Sequence, residues 1–367
     1  MNRLADLKPN WNSAPGNTII DILNEKSISI NEFEKEMGLS KTKIKGLLNG
    51  QNRIDEKIAI RLQNTLGASS DFWINRENQF REVSNYLSSI EDEQNLWVKT
   101  LPIKDMLNFG WIKKSENLFQ DCLSFFNVPD IETWNLKYNI NNGNPAFRIS
   151  PNIESKSTSI ATWLRKGELI AENIKCDNWN KELFIDKLDE IKKLTREKNP
   201  RKFIPELISI CASCGVAVAI VPTPKGCPAS GVTKFISNQK ALLQLSFRYL
   251  RDDNFWFTFF HEAGHLILHE KNRTHIEVTD RKAYVQSDEE MEANSFASEV
   301  LIPYNFKGEL KTIKSNKRKL IEFASKMGIS PGIVVGQMQY NKIVSPQYLN
   351  GYKRFFKWDE INDVLNY

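Results

Sequence analysis

The sequence predicts a mostly helical α+β protein. It comprises an N-terminal five-helix domain, a helical middle, a core in which a small three-stranded sheet packs on one buried helix, and a helical C-terminal region. Three observations lead there. Capping residues and apolar residues at three- and four-residue spacing recur along most of the 367 positions. Short apolar runs at 215–221, 229–236 and 241–246, bounded by glycine, proline or polar residues, suit strands. Residues 253–269 then form an apolar helical stretch, Asp-Asn-Phe-Trp-Phe-Thr-Phe-Phe-His-Glu-Ala-Gly-His-Leu-Ile-Leu-His, which carries two histidines and a glutamate into the core.

Composition narrows the function classes. The length allows two or three domains, each with its own core. A net charge of +5 permits a phosphate-bearing partner without demanding one, so local clustering must decide. No apolar run approaches the roughly 18 residues of a membrane span, and the polar N-terminus has no signal-peptide core, so no membrane partner is expected. Five cysteines, an odd number, do not make a disulfide framework, and a reducing cytoplasm is the expected location. Cys211 and Cys214 read as apolar packing.

Residues 1–80 read as a helix-turn-helix domain. After Pro15-Gly16 comes a helix with Ile19, Ile20, Ile22 and Leu23, and Ser29 caps a second with Ile30, Phe33 and Met37 on one face. Gly38-Leu39-Ser40 makes a tight turn in which Gly38 is left-handed and Ser40 caps a third helix, residues 41–49. Asp55 caps a fourth helix through Leu66, and Ser69 or Ser70 opens a fifth with Phe72 and Trp73. Two short helices around a glycine turn suit the reading of double-stranded DNA, the second helix lying in the major groove. Lys41, Thr42, Lys43, Lys45 and Arg53 are the candidate DNA contacts.

Residues 15–81 resemble the lambda-repressor-like (XRE) helix-turn-helix family, particularly its HigA-type antitoxin branch. The resemblance rests on Gly38-Leu39-Ser40, on Leu47-Leu48-Asn49-Gly50, and on Leu66-Gly67 followed by Asp71-Phe72-Trp73. It departs at Glu34, where that family usually has alanine. A carboxylate there either keeps the second and third helices apart or marks a protein-binding role in place of DNA binding.

Residues 81–200 read as a helical connector and spacer. Residues 81–99 are helical, with Glu91-Asp92-Glu93 near the middle, and the aromatics Trp97, Trp111, Phe125, Phe126, Trp134 and Trp163 read as core. A turn-rich loop at 139–145 precedes helices at 159–173 and 183–194, and Asn199-Pro200 stops the second.

Residues 201–303 hold the candidate site. A helix at 203–211 and the three strands lead into His261-Glu262-Ala263-Gly264-His265, an H-E-x-x-H motif. Residues four apart lie one turn apart on one helix face, so both imidazoles reach one metal ion and Glu262 lands beside its open position. A catalytic zinc takes three protein ligands. His269 lies about 12 Å from His261 along the helix axis, too far to share the ion, and His275 stays open as a third ligand. Residues 287–303 offer better candidates. Ser287 and Glu290 make a capping box, Pro303 ends the helix, and Ala293, Phe296, Ala297 and Val300 form its buried face. Glu290 sits at the margin of that face as the candidate third ligand, and Asn294, one turn on, supports a ligand histidine. Glu292, pointing further round, is the alternative. Tyr284 and Tyr304 are nearby donors for an oxyanion, and nothing selects between them.

The H-E-x-x-H motif and the run Glu-Met-Glu-Ala-Asn-Ser-Phe-Ala-Ser-Glu-Val-Leu-Ile-Pro together resemble the ImmA/IrrE family of metallopeptidases, and the order of elements over 201–350 matches as well. The resemblance implies a zincin-like core and a divalent metal, zinc or else manganese, bound by His261, His265 and Glu290, with Glu262 as general base. It also implies a helix-turn-helix partner domain and a protein substrate, a repressor-type transcription factor cleaved in a stress or mobile-element response. The competing reading is a non-enzymatic, antitoxin-like repressor that keeps the zinc fold for structure or sensing; an intact Glu262 favours the enzyme. Homodimerisation stays open.

Residues 304–367 read as a helical C-terminal region, with a basic, solvated stretch at 311–319. Glu322, Phe323, Met327, Gly328, Ser330 and Gly336 repeat Glu32, Phe33, Met37, Gly38, Ser40 and Gly46 at a constant offset of 290. This echo has Ala324 where the first copy has Glu34. Its last helix carries no basic residue over 331–337, so it reads as packing on the core.

Overall fold

Local capping chemistry starts many of the helices in the computed structural model, which describes residues 13–138, 157–269, 275–278, 287–313 and 316–365. The chain divides into two compact units, Met1–Trp97 and Val98–Tyr367. In the first, α1 spans Pro15–Glu25, α2 Ile30–Met37, α3 Lys41–Leu48, α4 Glu56–Leu66 and α5 Ser70–Thr100. Ser29 and Glu32 form a capping box at α2, Gly38 closes that helix at φ 58°, Ser40 caps α3 and Asp55 caps α4. Arg61 braces the turn by donating to the Met37 carbonyl at 2.6 Å.

Ile19, Phe33, Met37, Ile44, Leu47, Leu62 and Trp73 share one core. Glu34 is half-buried and does not keep α2 and α3 out of it. The fifth helix and the connector, expected as separate elements, are one 31-residue helix. Residues 70–100 contain no glycine or proline, so nothing in the stretch breaks the helix.

The second unit opens with α6 (Ile103–Asn108), α7 (Leu118–Phe126), α8 (Ile131–Tyr138), α9 (Ser157–Asn173), α10 (Lys181–Leu194) and α11 (Pro200–Ala212). Asn199 caps α11 with Pro200 at its first turn, so the residues read as a stop also start the next helix. The strands are β1 (Val216–Ile220), β2 (Ala229–Ser237), β3 (Lys240–Leu245) and β4 (His275–Val278), in the order β1-β3-β2-β4. β1 and β3 are parallel, with Val218 opposite Leu243, and the other pairs are antiparallel. β4 adds a fourth strand to the expected three, and its four residues are too few for alternation to show in the sequence.

β1 and most of β3 are apolar because both faces of the sheet are covered there. Val218, Leu243 and Leu245 meet Phe203 of α11 and Phe255 and Phe259 of α12 (Asp252–Leu268) in the main core. On the opposite face lies α9, from the stretch read as spacer. Its Trp163 Nε1 donates to the Val221 carbonyl at 2.9 Å, and Gln244 Nε2 donates to the Trp163 carbonyl at 2.8 Å. The remaining helices are α13 (Asp288–Leu301), α14 (Lys307–Ile313), α15 (Lys317–Met327), α16 (Pro331–Tyr340) and α17 (Trp358–Asn362).

The C-terminal echo is geometric as well. Gly328 closes α15 at φ 71° and Ser330 caps α16, as Gly38 and Ser40 do between α2 and α3. α16 packs on α12, in line with its lack of basic residues. Among the described residues, no helix is long and apolar enough to cross a membrane. The expected loop at 139–145 and Tyr284 lie outside the described residues.

Candidate metal centre

α12 is held at its start and buried along its length. Asp252 accepts hydrogen bonds from Ser330 Oγ at 2.8 Å and from the Arg354 backbone N–H at 2.9 Å, while Lys353 Nζ pairs with Asp253 at 2.5 Å. Burial raises the Asp252 carboxyl above its usual range, against those hydrogen bonds. α16 comes close because its contact residue is glycine: a Cβ at Gly332 would sit 2.6 Å from Asp252 Oδ1. Further along α12, Phe255, Trp256, Phe259 and Phe260 are buried, so His261, Glu262 and His265 lie inside the protein.

α13 lies against this stretch through small residues. A Cβ at Gly264 would be 3.3 Å from Ala293 Cα, and Ala293 and Ala297 are fully buried. Ser287 Oγ accepts from the Glu290 N–H at 3.3 Å, which starts the helix. The reciprocal half of the expected capping box is not made, because the Glu290 carboxylate turns to the imidazoles. Its Oε2 lies 3.3 Å from His261 Nε2 and its Oε1 lies 3.4 Å from His265 Nε2. The two Nε2 atoms are 3.0 Å apart, and ligand atoms from all three residues fall within 4.8 Å of one another.

The neighbours sort themselves around this cluster. Asn294 Oδ1 stands 3.2 Å from His261 Nδ1. Glu292, the alternative ligand, meets His269 Nε2 at 3.1 Å instead, and His269 sits behind His265 rather than in the cluster. His275 belongs to β4, and its side chain is outside the described residues. Tyr304 is 78% exposed.

The Glu262 carboxylate lies against β2, where a Cβ at Gly231 would come within 2.5 Å of Oε1. The sequence signal for Gly231 is a glycine inside a strand, which marks a close approach of another group.

Burial favours the neutral His265 ring, lowering it from its ordinary value. Burial also works against ionisation of Glu290, but the two imidazoles beside it, His261 and His265, outweigh it and hold the carboxyl well below the usual range. Two buried imidazole nitrogens and a carboxylate, converging on one point, fit a divalent cation; a His₂Glu set is found in hydrolytic zinc sites.

Residues 231–336 match the family described as the IrrE N-terminal-like domain, Peptidase_M78. The matched stretch begins at Gly231, beside Glu262, and ends in α16, so it takes in every residue of the cluster. An N-terminal stretch of 64 residues is 31% identical to the uncharacterized HTH-type transcriptional regulator YddM of Escherichia coli (strain K12), spanning 17% of this chain and 68% of that protein. The chain belongs to the ImmA/IrrE family and carries an N-terminal helix-turn-helix domain. It is thus a metallopeptidase-type chain joined to a module of the regulator class. In the helix-turn-helix domain of this ImmA/IrrE chain, Lys41, Thr42, Lys43 and Lys45 are exposed on α3 while Ile44 and Leu47 face the core, and Arg53 is exposed in the following loop.

Proposed function

We propose that this chain is a divalent-metal-dependent endopeptidase coupled to a DNA-binding module, and that it cleaves a repressor-type regulator in a stress or mobile-element response. The observation that carries the enzyme reading is the convergence of His261, His265 and Glu290 in a buried site, on the helix that also carries Glu262. Those three residues hold the ion, zinc or alternatively manganese. Bound there, a divalent cation supplies Lewis acidity toward a peptide carbonyl and toward water.

The chain's own groups do the rest. As a water oxygen bonds to the peptide carbonyl carbon the Glu262 carboxylate takes its proton, and it hands that proton to the amine nitrogen as the C–N bond breaks. Gly231 leaves room for that carboxylate beside β2. Asn294 Oδ1 accepts from His261 Nδ1–H and keeps the Nε2 of that ring toward Glu290. β4, at the sheet's outer edge, offers backbone groups for pairing with an extended peptide. The likeness to a transcriptional regulator and the exposed lysines of α3 support double-stranded DNA as the second partner. Five free cysteines and a DNA-binding role fit a reducing cytoplasm.

The test is Glu262→Gln, assayed on candidate regulators co-expressed with the protein. Cleavage should fall about 10²–10⁴-fold, with metal content per chain and DNA affinity unchanged. Native-level cleavage by that variant rejects Glu262 as the base.

A further inference from the structure

His269 and Glu292 are outside the set of ligands, yet they are wired to it. The His269 backbone N–H donates to the His265 carbonyl at 3.1 Å and closes the last turn of α12. Its imidazole stands between Glu292 and His265, with Nε2 at 3.1 Å from Glu292 Oε2 and Nδ1 at 2.9 Å from His265 Nδ1. The His269 side chain is 6% exposed, and that of Glu292 is 62% exposed. Both ring nitrogens of this side chain are engaged, by a carboxylate and by a second imidazole, which filling space alone would not require.

The direction of each hydrogen bond follows from what each atom can do. A carboxylate oxygen only accepts, so His269 Nε2 carries the hydrogen and donates to Glu292. A neutral imidazole has one N–H, which leaves His269 Nδ1 as an acceptor. Of the two facing Nδ1 atoms, the donor is therefore that of His265. The His265 Nε2 is left as a lone pair, turned toward Glu290. Asn294 does the same for His261 in one step. A single helix, α13, thus provides the carboxylate of the cluster and orients both rings.

We infer that His269, anchored by Glu292, is a positioning residue that fixes the tautomer and ring plane of His265 for metal binding. The inference rests on the metal-centre reading above. The test is zinc affinity, measured at neutral pH on the full chain by competition with a chromophoric chelator. Disturbing such an outer partner typically weakens metal binding by about 10–100-fold, and His269→Leu should fall in that range. Glu292→Leu, at a mostly exposed position, should weaken binding in the same direction by less. His269→Asn places Oδ1 where the imidazole Nδ1 was and accepts the same bond, so it should recover most of the affinity. Melting of the metal-free variants controls for folding: the Asn and Leu variants should melt alike and differ in zinc affinity. Native zinc affinity in His269→Leu, or equal weakening in the Asn and Leu variants, would overturn the inference. A native chain that binds no zinc, manganese or other divalent ion would instead overturn the metal-centre reading, and this inference with it.

Discussion

At Gly231, a methyl group would meet Glu262 Oε1 at 2.5 Å and Thr258 Cγ2 at 2.7 Å. Backbone and helix are both fixed there, so the carboxylate would have to move. With Glu262 as the proposed base, Gly231→Ala should therefore lower kcat by about 100-fold, the cost of displacing such a group by about 1 Å, and leave metal content at the native level. Unchanged kcat would show that the glycine is not needed for that placement. A second residue couples the fold to pH. Glu168 of α9 is buried, with Lys234 Nζ at 2.7 Å and Arg165 Nη1 at 3.2 Å. Burial opposes its charge, but Lys234 and Arg165 prevail and hold the carboxyl below its usual range. A depressed carboxyl stabilises the fold at pH above the ordinary glutamate value, and this contribution is lost as pH falls through the folded-state value. Glu168→Gln should cost about 3–5 kcal/mol at neutral pH, the range for breaking a buried ion pair. The gap to the native protein in denaturant unfolding should narrow as pH falls below the usual glutamate range, and a constant gap would contradict the pairing. At this scale the sequence displayed the motif residues but not their supports. His261, Glu262 and His265 are spaced by one helix, whereas Gly231, His269 and Glu292 acquire their roles across two elements, and no local spacing encodes that.

Among the elements, α3 carries the DNA reading. It buries Ile44 and Leu47 and leaves Lys43 and Lys45 in solvent, so alanines at the two lysines should leave the fold intact. If both lysines neutralise phosphates, the double substitution should weaken DNA binding and flatten its log–log salt slope by about 1.8. An unchanged slope would favour a protein-binding role for the domain. Helix boundaries were the most legible part of the fold. Ser29, Gly38, Asp55 and Ser287 act locally, and each does in the structure what its chemistry suggests. Elements whose limits depend on distant partners were harder. α5 runs on because nothing in it stops a helix, and β4 exists because β2 offers Val232 and Thr233 to pair with Ile276 and His275. Glu290 broke a local rule for a distant reason, giving up its share of the capping box to reach the histidines.

For the whole molecule, each unit has its own core, and the cluster of His261, His265 and Glu290 sits where the larger unit's core joins α12 to α13 and α16. α9, from the middle of the chain, closes the sheet from behind, and the C-terminal echo packs on the start of α12. The likeness between α15–α16 and α2–α3 was visible in the sequence, while its place against Asp252 was not, because glycines at 332 and 336 look like turn residues until a helix is found pressed on them. The reading of the larger unit as a peptidase depends on one ion being held by His261, His265 and Glu290. Anomalous diffraction at the zinc edge from crystals of the zinc-loaded chain tests this most directly. One strong peak is expected at about 2.0–2.2 Å from an imidazole nitrogen of each histidine and from a Glu290 oxygen, with a side of the ion open to solvent. A peak elsewhere, or an ion enclosed by four protein ligands, would contradict the account.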